Sequence, residues 1–323
     1  MPILDEDEEL AAVRVAELYY DEGKTQDEVG ALLQLSRWKV GRLLAQAREQ
    51  GIVRIEIVHP RARRLGVERA LRERFGLVDA VVVPAPEDAA PGTAADADIL
   101  ARVAQAAADH LAAMRPAPRT LGVSWGRTLA EVADRLKPGW ARGVTVVQIN
   151  GGVTLNRRPG TAASTVATMA QRAEGQTVLL PSPAILERLE TKRAIEADRV
   201  VADALAQARS ASAYLFTAGA ADAHSALVES GYLSADEVAE LVRKGAVGDV
   251  LGRFVDADGN IVDPSLDART VGLGFDQLRA APTAILVVAG RAKHDIARTV
   301  VRSGLCTVLV TDDATARALL EDS

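Results

Sequence analysis

Arg37, Trp38, Lys39 and Arg42 stand within six positions of one another early in the chain. On a helix, this spacing puts two guanidinium groups, an ammonium and an indole on the first two turns, a set suited to phosphates and base edges in a DNA major groove. Ser36 precedes them, and Thr25 precedes the run that begins at Gln26. Their side-chain oxygens can accept an unpaired helix N–H, so both are expected as caps, with contacts to DNA phosphates from Thr25, Gln26 and Ser36.

A second set of chemistry-bearing residues lies in four later stretches. Gly122-Val-Ser124-Trp125-Gly126-Arg127-Thr128 follows an apolar run and opens a helical one, so its glycines, hydroxyls and helix N–H groups suit a phosphate. An ordinary strand-to-helix turn is the alternative. Asn150, Gly151 and Gly152 end another apolar run. Asp249 sits among glycines and apolar residues, where a carboxylate needs a partner such as sugar hydroxyls unless it faces solvent. Lys293 begins a helical stretch, where a cation opposes the helix dipole and so points to a bound anion; a surface lysine is the other reading. Neither GxxxxGK[ST] nor GxGxxG occurs. His59, His110, His224 and His294 lack metal spacing and are read as structural or solvated. No catalytic residue, metal or cofactor is assigned.

The elements needed to position these groups can be read in order. Apolar residues at helical spacing from Leu10 to Asp21 predict a first helix, with Leu10, Val13, Ala16, Leu18 and Tyr19 inward and Gly23 as its stop. Gln26 to Leu33 and Arg37 to Arg48 predict two helices, with Val29, Leu32, Leu33 and then Val40, Leu43, Leu44 on their apolar faces. Only Gln34 and Leu35 remain for the turn, which forces a steep crossing and makes a small residue necessary at Gly30. A left-handed Gln34 would carry strain on the order of 1 kcal/mol. After Gly51, the alternation in IVRIEIV predicts a half-buried strand that forms a small wing. These features define a helix-turn-helix unit over residues 1–59, followed by a basic linker over 60–66.

From residue 67 to 323, β-branched runs alternate with alanine-rich helical stretches. Strands are expected at 79–84, 119–124, 144–149, 177–181, 212–219, 270–274, 283–290 and 306–312, without the alternation of a one-sided sheet. That pattern predicts an α/β domain built on a parallel sheet covered on both faces.

Composition narrows the classes. The chain has 323 residues, 48% hydrophobic and 25% charged, and no apolar run approaches the roughly 18 residues of a membrane span. The acidic stretch Asp5 to Glu9 is unlike a signal peptide, so a cytoplasmic protein is expected. Cys306, the single cysteine, excludes an internal disulfide and reads as core. The net charge of −6 argues mildly against nucleic acid, yet Arg37, Lys39, Arg42, Arg48 and Arg54 face only Glu49 between residues 36 and 54. With Asp5 to Glu9 expected on the other side, positive charge gathers on the second helix of the pair.

Taken in order, the helix-turn-helix with REQGIVRIEI, then GVSWGRTL, NGG, GAVGDVLGRF and GRAKHDIA with GLCTVLVTDDATARALL, resembles the SorC family of sugar-responsive transcriptional regulators over nearly the whole chain. The resemblance implies a winged helix-turn-helix ahead of a Rossmann-like effector domain of the ribose-5-phosphate isomerase and glucosamine-6-phosphate deaminase type. It implies a phosphorylated sugar or polyol effector, operator DNA as partner, no membrane, and a homodimer or homotetramer. It also implies that the loop Gly122 to Thr128 and Lys293 hold phosphate while Asp249 addresses sugar hydroxyls. Ser124, Trp125 and Arg127 make this loop bulkier than those of the related enzymes, and Trp125 offers a stacking face for an unphosphorylated polyol. The alternatives are a sugar-phosphate isomerase or deaminase that carries a DNA-binding module, and a sugar sensor that acts through a protein partner.

Overall fold

The computed structural model describes residues 6–53, 63–85, 93–153 and 162–321. It divides into two units, residues 1–59 and 60–323. In the smaller one, a helix Glu6–Ala16 runs into a π turn Glu17–Asp21, followed by helices Gln26–Leu33 and Arg37–Glu49. The core is Ala12, Val15, Leu18, Val29, Val40, Leu43, Leu44 and Ala47. Leu10, expected inward, is 66% exposed, and Leu32 is 58% exposed. The π turn widens the helix and shifts the phase of the first apolar face, so Ala12 and Val15 take the inward places assigned to Leu10 and Val13. The predicted wing strand falls mostly on residues 54–58, outside the described residues; Ile52 and Val53 pack on this core without forming a strand.

The short link between the two later helices behaves as its length demands. Gln34 has φ 55° and ψ 39°, the left-handed conformation that L side chains disfavour. A Cβ on Gly30 would lie 2.7 Å from the Leu35 carbonyl oxygen, so the close approach is to the turn backbone.

In the larger unit, a seven-stranded sheet is built from β1 (Asp79–Val83), β2 (Thr120–Val123), β3 (Thr145–Gln148), β4 (Gln176–Val178), β5 (Ala213–Phe216), β9 (Ala284–Val287) and β10 (Val308–Asp312). All neighbours pair in parallel, in the order β1-β10-β9-β5-β2-β3-β4. Apolar clusters cover both faces, as expected of continuous Val, Ile and Leu strands. Three short strands, β6 (Ala218–Ala220), β7 (Gly248–Val250) and β8 (Arg253–Val255), form a separate antiparallel sheet. Sequence pattern missed this small sheet. The strand expected at 270–274 is absent as such; Thr270 and Gly272 make single bridges to Ile185 and Asn150. Residues 63–66, expected in the linker, already belong to the larger unit, since Leu65 and Gly66 open the helix Leu65–Phe75.

The chain steps from β2 outward to β3 and β4, and from β5 in the opposite direction to β9 and β10. The adjacent pair β2 and β5 is therefore the switch point of the sheet, and the crevice beyond their carboxyl ends is the standard ligand position in such folds.

Candidate functional site

In the smaller unit, Thr25 and Glu28 form a reciprocal cap, and Ser36 Oγ accepts the Lys39 amide at 3.2 Å. Both expected caps are therefore present. However, the Thr25 amide and hydroxyl both donate to Glu28 Oε2 at 2.8 Å, so they are engaged within the protein. Gln26, Arg37, Trp38, Gly41 and Arg42 line one concavity, and Trp38 is 74% exposed with the Arg42 guanidinium 5.5 Å from its ring centre. One charge expectation is corrected. Glu8 lies 3.1 Å from Arg42 because the first helix packs along Arg37–Glu49, so part of the acidic stretch reaches the basic helix.

Beyond the switch point, three adjacent strands each end in a buried polar group without a hydrogen-bond partner among the described residues. They are Thr217 Oγ1 after β5, Trp125 Nε1 after β2, and both amide atoms of Asn150 after β3. Each such group costs about 1–3 kcal/mol while unpaired, and together they offer donors and acceptors of the kind sugar hydroxyls satisfy. Thr217 was not foreseen, because a lone threonine after a strand carries no pattern.

Asp249 reaches this edge on the small antiparallel sheet, where it pairs with Gly219. It is 5% exposed, and its Oδ2 accepts the Gly252 amide at 3.0 Å. Burial pushes its pKa up to about 6, against the Gly252 hydrogen bond and the Lys293 charge. A Cβ on Gly219 would lie 2.2 Å from Asp249 Oδ1, so glycine is what makes room for the carboxylate. The β7–β8 turn holds Leu251 at φ 55°, a strained conformation for leucine fixed by its burial in the core. Arg253 ties that hairpin down through Asp267 at 2.7 Å and the carbonyls of Leu251 and Thr270.

Lys293 is half-buried in a 3-10 turn and occupies the N-cap of the helix His294–Arg302, with no side-chain cap there. Desolvation and then the Arg127 charge lower its pKa to about 8, while Asp249, Asp96 and Asp222 oppose the shift. Two cations, Lys293 and Arg127, are thus held near enough to repel. Arg127 starts a second helix, Arg127–Arg135, whose N-cap Gly126 also supplies no side-chain cap. Two helix N-termini and two cations thus meet at one edge, an arrangement whose charge suits an anion.

Other residues expected at the site also have work within the fold. A Cβ on Gly122 would lie 2.6 Å from both Ile149 and Tyr214, so this glycine serves sheet packing. Ser124 Oγ donates to the Trp125 carbonyl at 3.3 Å, and Thr128 is buried in the helix's first turn. The Gly151 and Gly152 amides donate to Val271 and Ser182 carbonyls, leaving the Asn150 side chain as that loop's available chemistry. Trp125 is 7% exposed within an apolar cluster, so little of its ring face is open, while its N–H is unpaired among the described residues. His294, read as structural, adjoins this site and has its buried Nε2 unpartnered among the described residues. His110 lies 3.6 Å from Asp79, and His59 falls outside the described residues. No group of metal-binding side chains occurs among the described residues.

The sequence profile described as a sugar-binding domain, Sugar-bind, matches residues 60–321. The chain is 31% identical to the Deoxyribonucleoside regulator of Bacillus subtilis over 99% of its own length and 100% of the relative's. It is also 31% identical to the transcriptional regulator LsrR of Klebsiella pneumoniae, over 97% of this chain and 93% of that one. The full-length sorbitol operon regulator SorC of Klebsiella pneumoniae superposes with a TM-score of 0.70 at 25% identity, covering 98% of this chain and 100% of SorC.

Proposed function

This chain belongs to the SorC family of sugar-binding transcriptional regulators, and we propose that a phosphorylated sugar or sugar alcohol, held at the carboxyl edge of the parallel sheet, controls its grip on operator DNA. The observation that carries this is the alignment of unpaired buried polar atoms on Thr217, Trp125 and Asn150 with the cations Lys293 and Arg127. Lys293, Arg127 and the helix start at Gly126 receive the phosphate. Asp249, Asn150, Thr217 and the Trp125 N–H address hydroxyls. Residues 1–59 act as a winged helix-turn-helix, with Arg37, Trp38, Lys39 and Arg42 reading DNA and Gln26 beside them.

Residues 67–323 form the effector and oligomerisation domain, on a scaffold of the ribose-5-phosphate isomerase type. The protein works in the cytoplasm as a homodimer or homotetramer. Among the described residues, no helix is long and apolar enough to cross a membrane.

Thermal unfolding against phosphorylated and free sugars and polyols tests the sensor. The names of the relatives put deoxyribose-derived compounds and sorbitol, free and phosphorylated, first in the panel. A ligand at 100 times its dissociation constant stabilises by about 2.7 kcal/mol. One phosphorylated compound is expected to raise the melting temperature, and Lys293→Ala to abolish the rise. Shifts only with unphosphorylated polyols would remove the phosphate from the proposal. The Asp249 pKa near 6 also meets an isomerase's need for a base. Turnover of ribose 5-phosphate or glucosamine 6-phosphate by the purified chain would replace the sensor with an enzyme.

A further inference from the structure

The outer edge of β1 is closed by the residues through which the chain enters the larger unit. Arg63 makes a bidentate pair with Glu68, Nε to Oε1 at 2.7 Å and Nη2 to Oε2 at 2.9 Å, and Nη2 also donates to the Ala80 carbonyl at 3.1 Å. Glu68 is 3% exposed, and its Oε1 accepts the Val82 amide at 2.9 Å. The Arg64 amide donates to the Val82 carbonyl at 2.9 Å. Consecutive backbone groups of an edge strand are thereby satisfied by two side chains and one amide. Covering an edge requires much less than this, since a surface lysine or a proline suffices.

The same residues connect to the proposed effector loop. Arg64 Nε donates to Asp313 Oδ2 at 3.3 Å, and Asp313 also takes Arg317. The preceding residue, Asp312, is 1% exposed at the end of β10 and accepts the Gly290 amide at 2.9 Å together with the amide and hydroxyl of Thr315. Gly290, in turn, accepts the Lys293 amide at 3.0 Å and stands at φ 92° at the start of the Lys293 turn. Lys293, Gly290, Asp312, Asp313, Arg64 and Val82 thus form an unbroken run of hydrogen bonds and one peptide link, from the loop of the cationic site to the chain leading toward residues 1–59.

We propose that Arg63, Arg64, Glu68 and Asp313 are positioning residues that transmit the state of the Lys293 loop to the chain joining the two units. The proposal rests on the Lys293 loop as the effector site. An anion beside Lys293 holds the turn, the turn holds Gly290 on Asp312, and the β10 end holds Asp313 on Arg64. Contiguity alone does not establish coupling; a shared response does.

Hydrogen exchange on the full chain supplies the test, with inorganic phosphate as the probe and chloride at equal ionic strength as the control. In the unaltered chain, phosphate is expected to slow exchange at Gly290 and Lys293 and, by about tenfold, at Arg64 and Val82. In Arg64→Ala and in Asp313→Asn, the slowing at Gly290 and Lys293 should persist while that at Val82 disappears. Asp313→Asn keeps the side-chain shape, so it carries the test if Arg64→Ala fails to fold. Slowing at Val82 that survives both substitutions overturns the proposal, as does a Lys293 loop that responds while Arg64 and Val82 do not. If neither region responds, the effector-site reading falls and the proposal falls with it.

Discussion

Asp249 is a carboxylate held out of water with a single backbone donor, and its titration is therefore written into stability. Its pKa rises from 3.8 to about 6 on folding. Between those values the folded chain binds more protons than the unfolded one, so stability of the ligand-free protein falls as pH rises through that window, by about 3 kcal/mol for this group. Asp249→Asn removes the charge and keeps the shape. Denaturant unfolding at about pH 4 and about pH 7 should show the loss in the unaltered chain and a smaller one in the variant; equal losses would mean Asp249 is not desolvated in solution. At this scale, charged residues in unusual company were legible: Lys293 at a helix start and Asp249 among glycines stood out by type and neighbours. Thr217 did not, because an unpaired hydroxyl is a property of its surroundings. The packing demand on Gly122 was hidden for a related reason, since a glycine needed by Ile149 and Tyr214 looks the same in a sequence as one needed by a ligand.

Between the helices Gln26–Leu33 and Arg37–Glu49, the short link carries strain that can be relieved. Gln34 sits in the left-handed region at φ 55°, where glycine is at ease. Gln34→Gly is expected to stabilise the smaller unit by about 1 kcal/mol, seen as roughly fivefold slower exchange of its core amides. Gly30→Ala should do the opposite, because its Cβ would meet the Leu35 carbonyl at 2.7 Å. Unchanged exchange in both variants would mean that this turn geometry is wrong. Elements with strong caps and clear apolar periods were readable: the helix Gln26–Leu33 has its expected bounds, and Arg37–Glu49, capped by Ser36, ends one residue beyond the expected Arg48. The π turn at Glu17–Asp21 and the strands β6, β7 and β8 were not. Each of these strands is only three residues long and is held by pairing with sequence-distant partners.

At the scale of the whole molecule, the proposed reading of DNA by Arg37–Glu49 carries a requirement: one such helix covers little DNA, so useful affinity would need two, related by a two-fold axis and about one DNA turn apart. Selection from random DNA by the full chain should therefore recover inverted repeats with half-sites about 10 base pairs apart, or a multiple of that spacing. Recovery of unpaired sites would argue against paired reading helices, and recovery of no sequence would favour a protein partner. Control by effector then follows if the ligand prefers one packing of subunits, because equal affinity for both states shifts nothing.

Composition, periodicity and caps by themselves determined that this is an α-helical unit followed by an α/β unit, which stretches form the seven strands of the parallel sheet, and which basic residues share a helix. These are local properties, set by neighbours within a few turns of chain. Strand order was beyond their reach. Only the tertiary structure decided that β2 and β5 are neighbours at the switch point, that Thr217, Trp125 and Asn150 end on adjacent strands, and that Glu8 meets Arg42. The same holds for Arg64 and Asp313, 249 positions apart and joined at 3.3 Å. The physical reason is that a parallel sheet gathers distant segments at one edge, so the groups that meet there are chosen by topology and not by spacing along the chain.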